Sequence, residues 1–247
     1  MKRMTTVFIV SILCQFCMTC SMQDLMTEMY DLDKELGIAF FYYYTEDYDR
    51  LDTQVSSLLL NVDRLESTIE DTKMDQIHFD LNVTRDCLVL VKSDLHSNNY
   101  KNAFYDLDRF RYKLIGFRSE NNIEYAIDYL WDIEALIEIA HSSIIAKTDC
   151  TIDWYELTDL SLCLKTDFYQ FQTLLEKHQD VSGIHMQDSY FKIYTNNFQY
   201  SINEFEDAVL DTNWKSLKAA TKQLNRDYLN LLHNISFGDT ENYAGVN

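Results

Sequence analysis

Apolar residues recur along most of this chain at alternating steps of three and four, the spacing that draws one stripe down a helix and, when sustained, the seam of a bundle. Leu25, Met29, Leu32, Leu36 and Phe40 make the first stripe, and Leu51, Val55, Leu58, Val62, Leu65 and Ile69 the second. Ile77, Leu81, Leu88, Val91 and Leu95, with Thr84 in line, make the third, and Ala103, Leu107, Phe110, Leu114 and Phe117 the fourth. The polar interval "RSENN" at 118–122 separates this set from a second one. There Ile123, Ala126, Leu130, Ile133, Ile137, Ala140 and Ile144 form one stripe, and Leu157, Leu164, Phe168, Phe171 and Leu175, with Ser161, the next. Phe191, Phe198, Ile202, Phe205 and Val209 follow, then Leu217, Leu224, Tyr228 and Leu231 with Thr221. The pattern predicts eight helices in two sets of four. The breaks fall at "YTEDYD", where Thr45 or Asp47 can cap a helix start, and at "HSNN", "KTDCTID" and "KHQDVSGIHMQD".

The two sets correspond. A shift of 114 positions lays residues 79–118 on 193–232 without a gap, Asn99 on Asn213, Tyr100 on Trp214 and Lys101 on Lys215. The apolar stripes keep register there, except that Leu107 meets Thr221. Earlier in each set Met29, Leu32 and Leu36 match Leu130, Ile133 and Ile137 at a smaller shift, because the second set has the longer loop around Gly183. Four helices joined by short links bury their stripes best as an antiparallel bundle. The expectation is therefore an all-α protein of two tandem antiparallel four-helix bundles, residues 22–119 and 120–238, arising from an internal duplication, with a tail at 239–247. Tyr100 and Trp214 then plug equivalent bundle ends. The rival is a helix-pair solenoid of the tetratricopeptide kind, which "NNYKNAFYDLDRF" suggests, but the short period and the prolines of such repeats are missing.

Composition sharpens this. Among 247 residues there is no proline and there are five glycines, which points to long helices with few sharp turns. The formal charge of −19 repels phosphate backbones and anionic membranes, so neither nucleic acid nor such a membrane is an expected partner. The first residues, "MKRMTTVFIVSILCQFCMTCS", place Lys2 and Arg3 before an apolar run too short to span a bilayer comfortably, then small and polar residues. Residues 1–21 read as a secretory signal, and the protein as secreted or periplasmic with no stable transmembrane span. The alternative is a lipoprotein anchored through Cys20. Cys87, Cys150 and Cys163 then remain; their spacing matches no metal motif, and the sequence does not say which pair a disulfide would join.

The stretches "NYKNAFYDLDRFRYKL" and "NWKSLKAATKQLNRDYLNLLHN", each a polar turn followed by an amphipathic final helix, resemble the last two helices of the soluble b-type and c-prime cytochromes. Those are secreted bacterial four-helix bundles that hold heme between a Met near the start of the first helix and a His near the end of the last. The resemblance implies the bundle fold. For heme it implies Met29 in the first set, where Phe117 and Arg118 stand in place of the His, and His233 in the second, whose first helix has no Met. With neither pair complete and no Cys-x-x-Cys-His, no cofactor is expected.

Catalytic and metal signals are sparse. "EIAH" offers Glu138 and His141, with Glu134 one turn earlier, only once, whereas di-iron bundles use such a motif on two helices. His178 and His185 sit in or beside one loop, no cysteine has a partner for nucleophilic chemistry, and no glycine-rich phosphate loop is present. The most unusual run is "AFFYYYTEDY". Five consecutive rings, Phe40 to Tyr44, point all round a helix, yet one bundle buries a single stripe, here through Phe40 and Tyr43. Phe41 and Tyr44 are thus expected to face the other bundle or a protein partner. The functional expectation is a binding protein without catalytic activity, with a heme or metal carrier as the rival.

Overall fold

The computed structural model describes residues 2–71, 81–145, 152–184 and 186–238, with side chains from Met22 onward except at 71, 81, 82 and 145. Ile77, Cys150, His185 and the 239–247 tail lie outside the described residues, as do the side chains of Cys20 and Leu81. The elements described are all helical: α1 (Lys2–Tyr44), α2 (Tyr48–Asp71), α3 (Leu81–His96), α4 (Tyr100–Glu120), α5 (Ala126–Ile145), α6 (Trp154–Lys177), α7 (Gln179–Ser182), α8 (Ser189–Leu210) and α9 (Trp214–Phe237). The short α7 inside the Gly183 loop is the one helix that the stripes do not predict.

The chain divides into two compact units, Met1–Ile123 with Asp180–Gly183, and Glu124–Gln179 with Ile184–Asn247. In the first, α1 packs on α2, α2 on α3, α3 on α4, and α4 closes back on α1. In the second, α5 packs on α6, α6 on α8, α8 on α9, and α5 on α9. Each unit is thus a closed set of four helices. A solenoid would stack pairs without that closure.

The stripes are the cores. Every described stripe residue is buried except Ile69 and Ile123, which lie at the edges and are half-buried. Fully burying such a side chain stabilises by about 1.5–3 kcal/mol, which is why the stripe decides how each helix is rotated. Thr221, the one polar member opposite Leu107, is 1% exposed and donates from Oγ1 to the Leu217 carbonyl at 2.8 Å, so its burial leaves no donor unsatisfied.

The scarcity of glycine does not prevent sharp turns. Four helices end with a non-glycine residue in the left-handed region: Glu46, Asn98, Asn122 and Thr212, with φ of 57°, 55°, 55° and 48°. Each forms the same pair of closing bonds. At the end of α3, Asn98 N donates to the Leu95 carbonyl at 3.0 Å and Asn99 N to that of Asp94 at 2.8 Å. At the end of α8, Thr212 N donates to Val209 at 3.0 Å and Asn213 N to Ala208 at 3.1 Å. This double bond pattern satisfies the last carbonyls of a helix and is usually built on glycine. Here the helix-terminal carbonyls outweigh a backbone strain of roughly 1–2 kcal/mol per left-handed residue.

Polar groups enter the two cores differently. In the first unit, Arg118 Nη1 meets Asp33 Oδ2 at 2.9 Å, with each side chain 1% exposed. In the second, Asp227 accepts from Ser201 Oγ and, at 2.6 Å, from Gln223 Nε2, beside an aromatic core in which Phe168 meets Phe198 edge-on with centroids 5.1 Å apart.

Candidate functional site

The aromatic run at the end of α1 leads to the most developed side-chain cluster of the first unit. Helix α1 stops at Tyr44, where Thr45 N donates to the Phe41 carbonyl and Asp47 N to that of Tyr42, at 3.0 and 2.9 Å. Asp47 then starts α2 by accepting from Arg50 N through Oδ1 at 3.3 Å. The turn brings the end of α1 beside the starts of α2 and α4, and the rings of three helices meet there. Phe104 of α4 is the hub. Its centroid lies 4.7 Å from Tyr43, 5.9 Å from Phe40, 6.2 Å from Tyr44 and 6.4 Å from Tyr105. Tyr48 lies flat on Tyr100, centroids 3.7 Å apart and planes within 6°. Tyr100 in turn donates its hydroxyl to Asn98 Oδ1 at 2.7 Å, tying the stack to the left-handed residue of the turn.

Cations border these rings. Arg111 stands 5.0 Å over Phe40, Lys101 5.7 Å over Tyr105 and Arg50 5.8 Å over Tyr42. Burial, with Tyr105 and Glu46 behind it, pushes the Tyr43 phenol above its ordinary value, and burial with Glu46, Tyr43 and Tyr100 does the same at Tyr48. Both phenols therefore stay protonated at physiological pH and keep their capacity to donate. The surface offers ring faces, phenol hydroxyls and cationic edges.

The five rings do not alternate as the stripe predicts. Phe40 is fully buried, Tyr44 is 38% exposed and Phe41 is 9% exposed, so of the two residues expected to face the other bundle or a partner Tyr44 alone presents its ring to solvent. Tyr43, expected in the seam, is half-buried. Tyr48, Phe104, Tyr105 and Lys101 complete the cluster from other helices, and of these the sequence signals only the last two, which are four residues apart on one exposed face of α4.

The remaining candidates do not converge. Glu134 is buried, while Glu138 and His141 are exposed. Among the described residues no three His, Cys, Asp or Glu side chains come together to hold a metal. His178 is half-buried; burial, then neighbouring Lys177, holds its imidazole below the ordinary value against the opposing pull of Glu124. Met29 is buried, but Arg118, near the position the cytochrome resemblance gives to a His, is occupied by its pairing with Asp33. His233 is half-buried, its ring stacked on Phe237 at 4.5 Å, and so is less exposed than a terminal surface residue would be. Cys87 and Cys163 are free thiols. The Cys87 thiol is buried, donates to the Val83 carbonyl and is pushed up by that burial, which makes it a core residue and not a nucleophile. In the second unit a groove of about 280 Å³ lies between the end of α6 and the start of α8, lined by Gln172, Glu176, Met186, Phe191, Lys192 and Asn196 among others. Lys192 Nζ donates there to Gln187 Oε1 at 2.7 Å. No described helix is long and apolar enough to cross a membrane. No protein family, curated protein or solved structure matches this chain.

Proposed function

We propose that this protein acts by binding, outside the cytoplasm, through the ring-and-cation end of its first bundle, and that it recognises a protein partner without catalysing a reaction. The observation that carries this reading is the state of Tyr44 and Tyr105. They are 38% and 56% exposed, yet both rest on the Phe104 ring, so they are held in place before any partner arrives. Tyrosine and arginine dominate the energetics of protein interfaces because they offer large contact area at low entropic cost and a polar tip for orientation. The extracytoplasmic placement rests on Lys2, Arg3 and the short apolar run after them.

The test compares the wild type with a Tyr44→Ser, Tyr105→Ser variant as baits in the source's own secreted or envelope fraction. A partner retained by the wild type and lost by the variant, with unchanged circular dichroism, supports the reading. Equal retention by both overturns it. Phe41→Ser serves as the contrast: it removes a buried ring, so it should lower stability by about 1–3 kcal/mol.

A further inference from the structure

Helix α6 of the second unit is apolar on two sides. Its inner face, including Leu157, Leu164, Phe168 and Phe171, is in the core. Directly opposite, Tyr155, Leu162 and Tyr169 stand 87%, 62% and 64% exposed, seven residues apart, so that they lie along one line of the helix. The threonine hydroxyls along this line are turned inward, to the helix backbone. Thr158 Oγ1 donates to the Trp154 carbonyl at 2.8 Å, Thr166 Oγ1 to Leu162 at 2.9 Å and Thr173 Oγ1 to Tyr169 at 2.8 Å. Each threonine thus satisfies its donor within the helix and leaves a methyl group for the surface. In a chain of charge −19, the line from Leu162 through Thr166 and Tyr169 to Thr173 carries no charge.

The face is also symmetric about Leu162. In "YELTDLSLCLKTDFY", Tyr155 mirrors Tyr169, Thr158 mirrors Thr166, and Asp159 mirrors Lys165. A two-fold axis at Leu162 would run a second α6 antiparallel to the first. Leu162 then meets Leu162 of the second copy, Tyr155 meets its Tyr169, and each Asp159 comes level with an opposite charge, Lys165, and not a like one. Lys165 lies at the edge of this face, where it also pairs with Glu206 of α8. An isologous contact demands this kind of self-complementarity, in which residue i faces j and j faces i.

We propose that the outer face of α6 is a homodimerisation seam, with a second copy of this chain packed antiparallel across Leu162. The seam from Tyr155 to Tyr169 is roughly 21 Å long, short for an interface, so the dimer dissociates on dilution. The inference is independent of the binding surface proposed on the first unit.

Sedimentation equilibrium of the full protein should show a monomer–dimer equilibrium, and Leu162→Glu should weaken it at least about tenfold by placing like charges on the axis. Cysteine scanning on a background with Cys150 and Cys163 replaced by Ser fixes the geometry. Under mild oxidation Leu162→Cys should link to itself. Tyr155→Cys alone should not, since its copies would lie roughly 21 Å apart. An equal mixture of Tyr155→Cys and Tyr169→Cys should form the mixed dimer. Each position is well exposed, and circular dichroism confirms that a variant is folded. A protein that stays monomeric at every concentration overturns the proposal. So does equal self-linking at 155, 162 and 169, which would mean parallel or non-specific contact.

Discussion

The turn at 97–99 in the first unit and the turn at 211–213 in the second have one backbone and two chemistries. Both end a helix with a left-handed residue, Asn98 or Thr212, and both close with the same pair of hydrogen bonds. In the second, Asn213 caps α9, accepting from Ser216 N at 3.1 Å. In the first, the equivalent Asn99 makes no side-chain cap for α4; its Nδ2 is 3.3 Å from Asp94 Oδ1. The reason lies one turn away. Asp94 and Asp106 face each other between α3 and α4, where the shift of 114 positions puts Ala208 and Ala220, both buried. The first unit packs two carboxylates where the second packs two methyl groups, and Asn99 serves a carboxylate in place of its helix. Helix-end geometry sets the backbone; what the side chains do with it depends on the neighbouring helix.

That contrast can be broken most strongly at the buried polar groups. Arg118→Met leaves Asp33 charged, buried and without this pairing, and should lower the stability of the full protein by about 3–5 kcal/mol in denaturant unfolding. Adding Asp33→Leu should recover most of the loss. Asp227→Ala in the second unit removes an acceptor from Gln223, from Ser201, which keeps the Asn197 carbonyl at 3.1 Å, and from Arg226 Nε, 3.9 Å away on an exposed side chain, and should lower stability by about 1–3 kcal/mol. Equal losses for the two would show that the ion pair is no more than a hydrogen bond.

The caps come next. Asn213→Ala should lower stability by about 1 kcal/mol, and Asn99→Ala by a few tenths, since only the first removes a capping bond. A larger effect at Asn99 would mean that its hold on Asp94 matters more than a cap.

Smaller still is the left-handed residue itself. Thr212→Gly should raise the unfolding midpoint by the equivalent of about 0.5 kcal/mol, because relief of strain exceeds the added chain entropy for a β-branched residue. Asn98→Gly should change little, since asparagine tolerates this region and Asn98 also holds Tyr100.

The carboxylates give the finest distinction. Burial, then Asp94, raises the Asp106 carboxyl above its ordinary value, against the pull of Arg109. The folded protein therefore binds that proton more readily than the unfolded chain. Its contribution to stability grows as pH falls from neutral through the raised value and is complete below the ordinary carboxylate range. Unfolding midpoints from neutral pH to about pH 4 should show this rise, and the Asp94→Ala, Asp106→Ala protein should show less of it. Asp167 in the second unit, raised by burial and by Asp132, is left in place and keeps part of the slope.

Much of the architecture was legible because it rests on a single repeated rule. Leu36, Val91 or Phe205 could be assigned to a core from spacing alone, and the breaks at "YTEDYD" and "HSNN" are where α1 and α3 end. The failures share a cause. Arg118 opens a polar interval and reads as loop, but it is helical, 1% exposed, and paired with a residue 85 positions away. Phe41 points off the seam, and its spacing does not say what covers it; it is buried. The Tyr48–Tyr100 stack joins two helices whose sequences give no sign of each other.

Sequence by itself determined that this chain is helical, where α1 and α3 stop, and which stripe the long helices bury. Those properties are local: they depend on spacing over one or two turns and on the polar groups at a helix end. Only the tertiary structure decided which side chains off the stripe are buried, that Phe104 gathers the rings of three helices, that Asp33 answers Arg118, and that the outer line of α6 is left uncovered. These depend on contacts between residues far apart in the chain, and the periodicity of any one helix carries no information about what its neighbour brings to meet it.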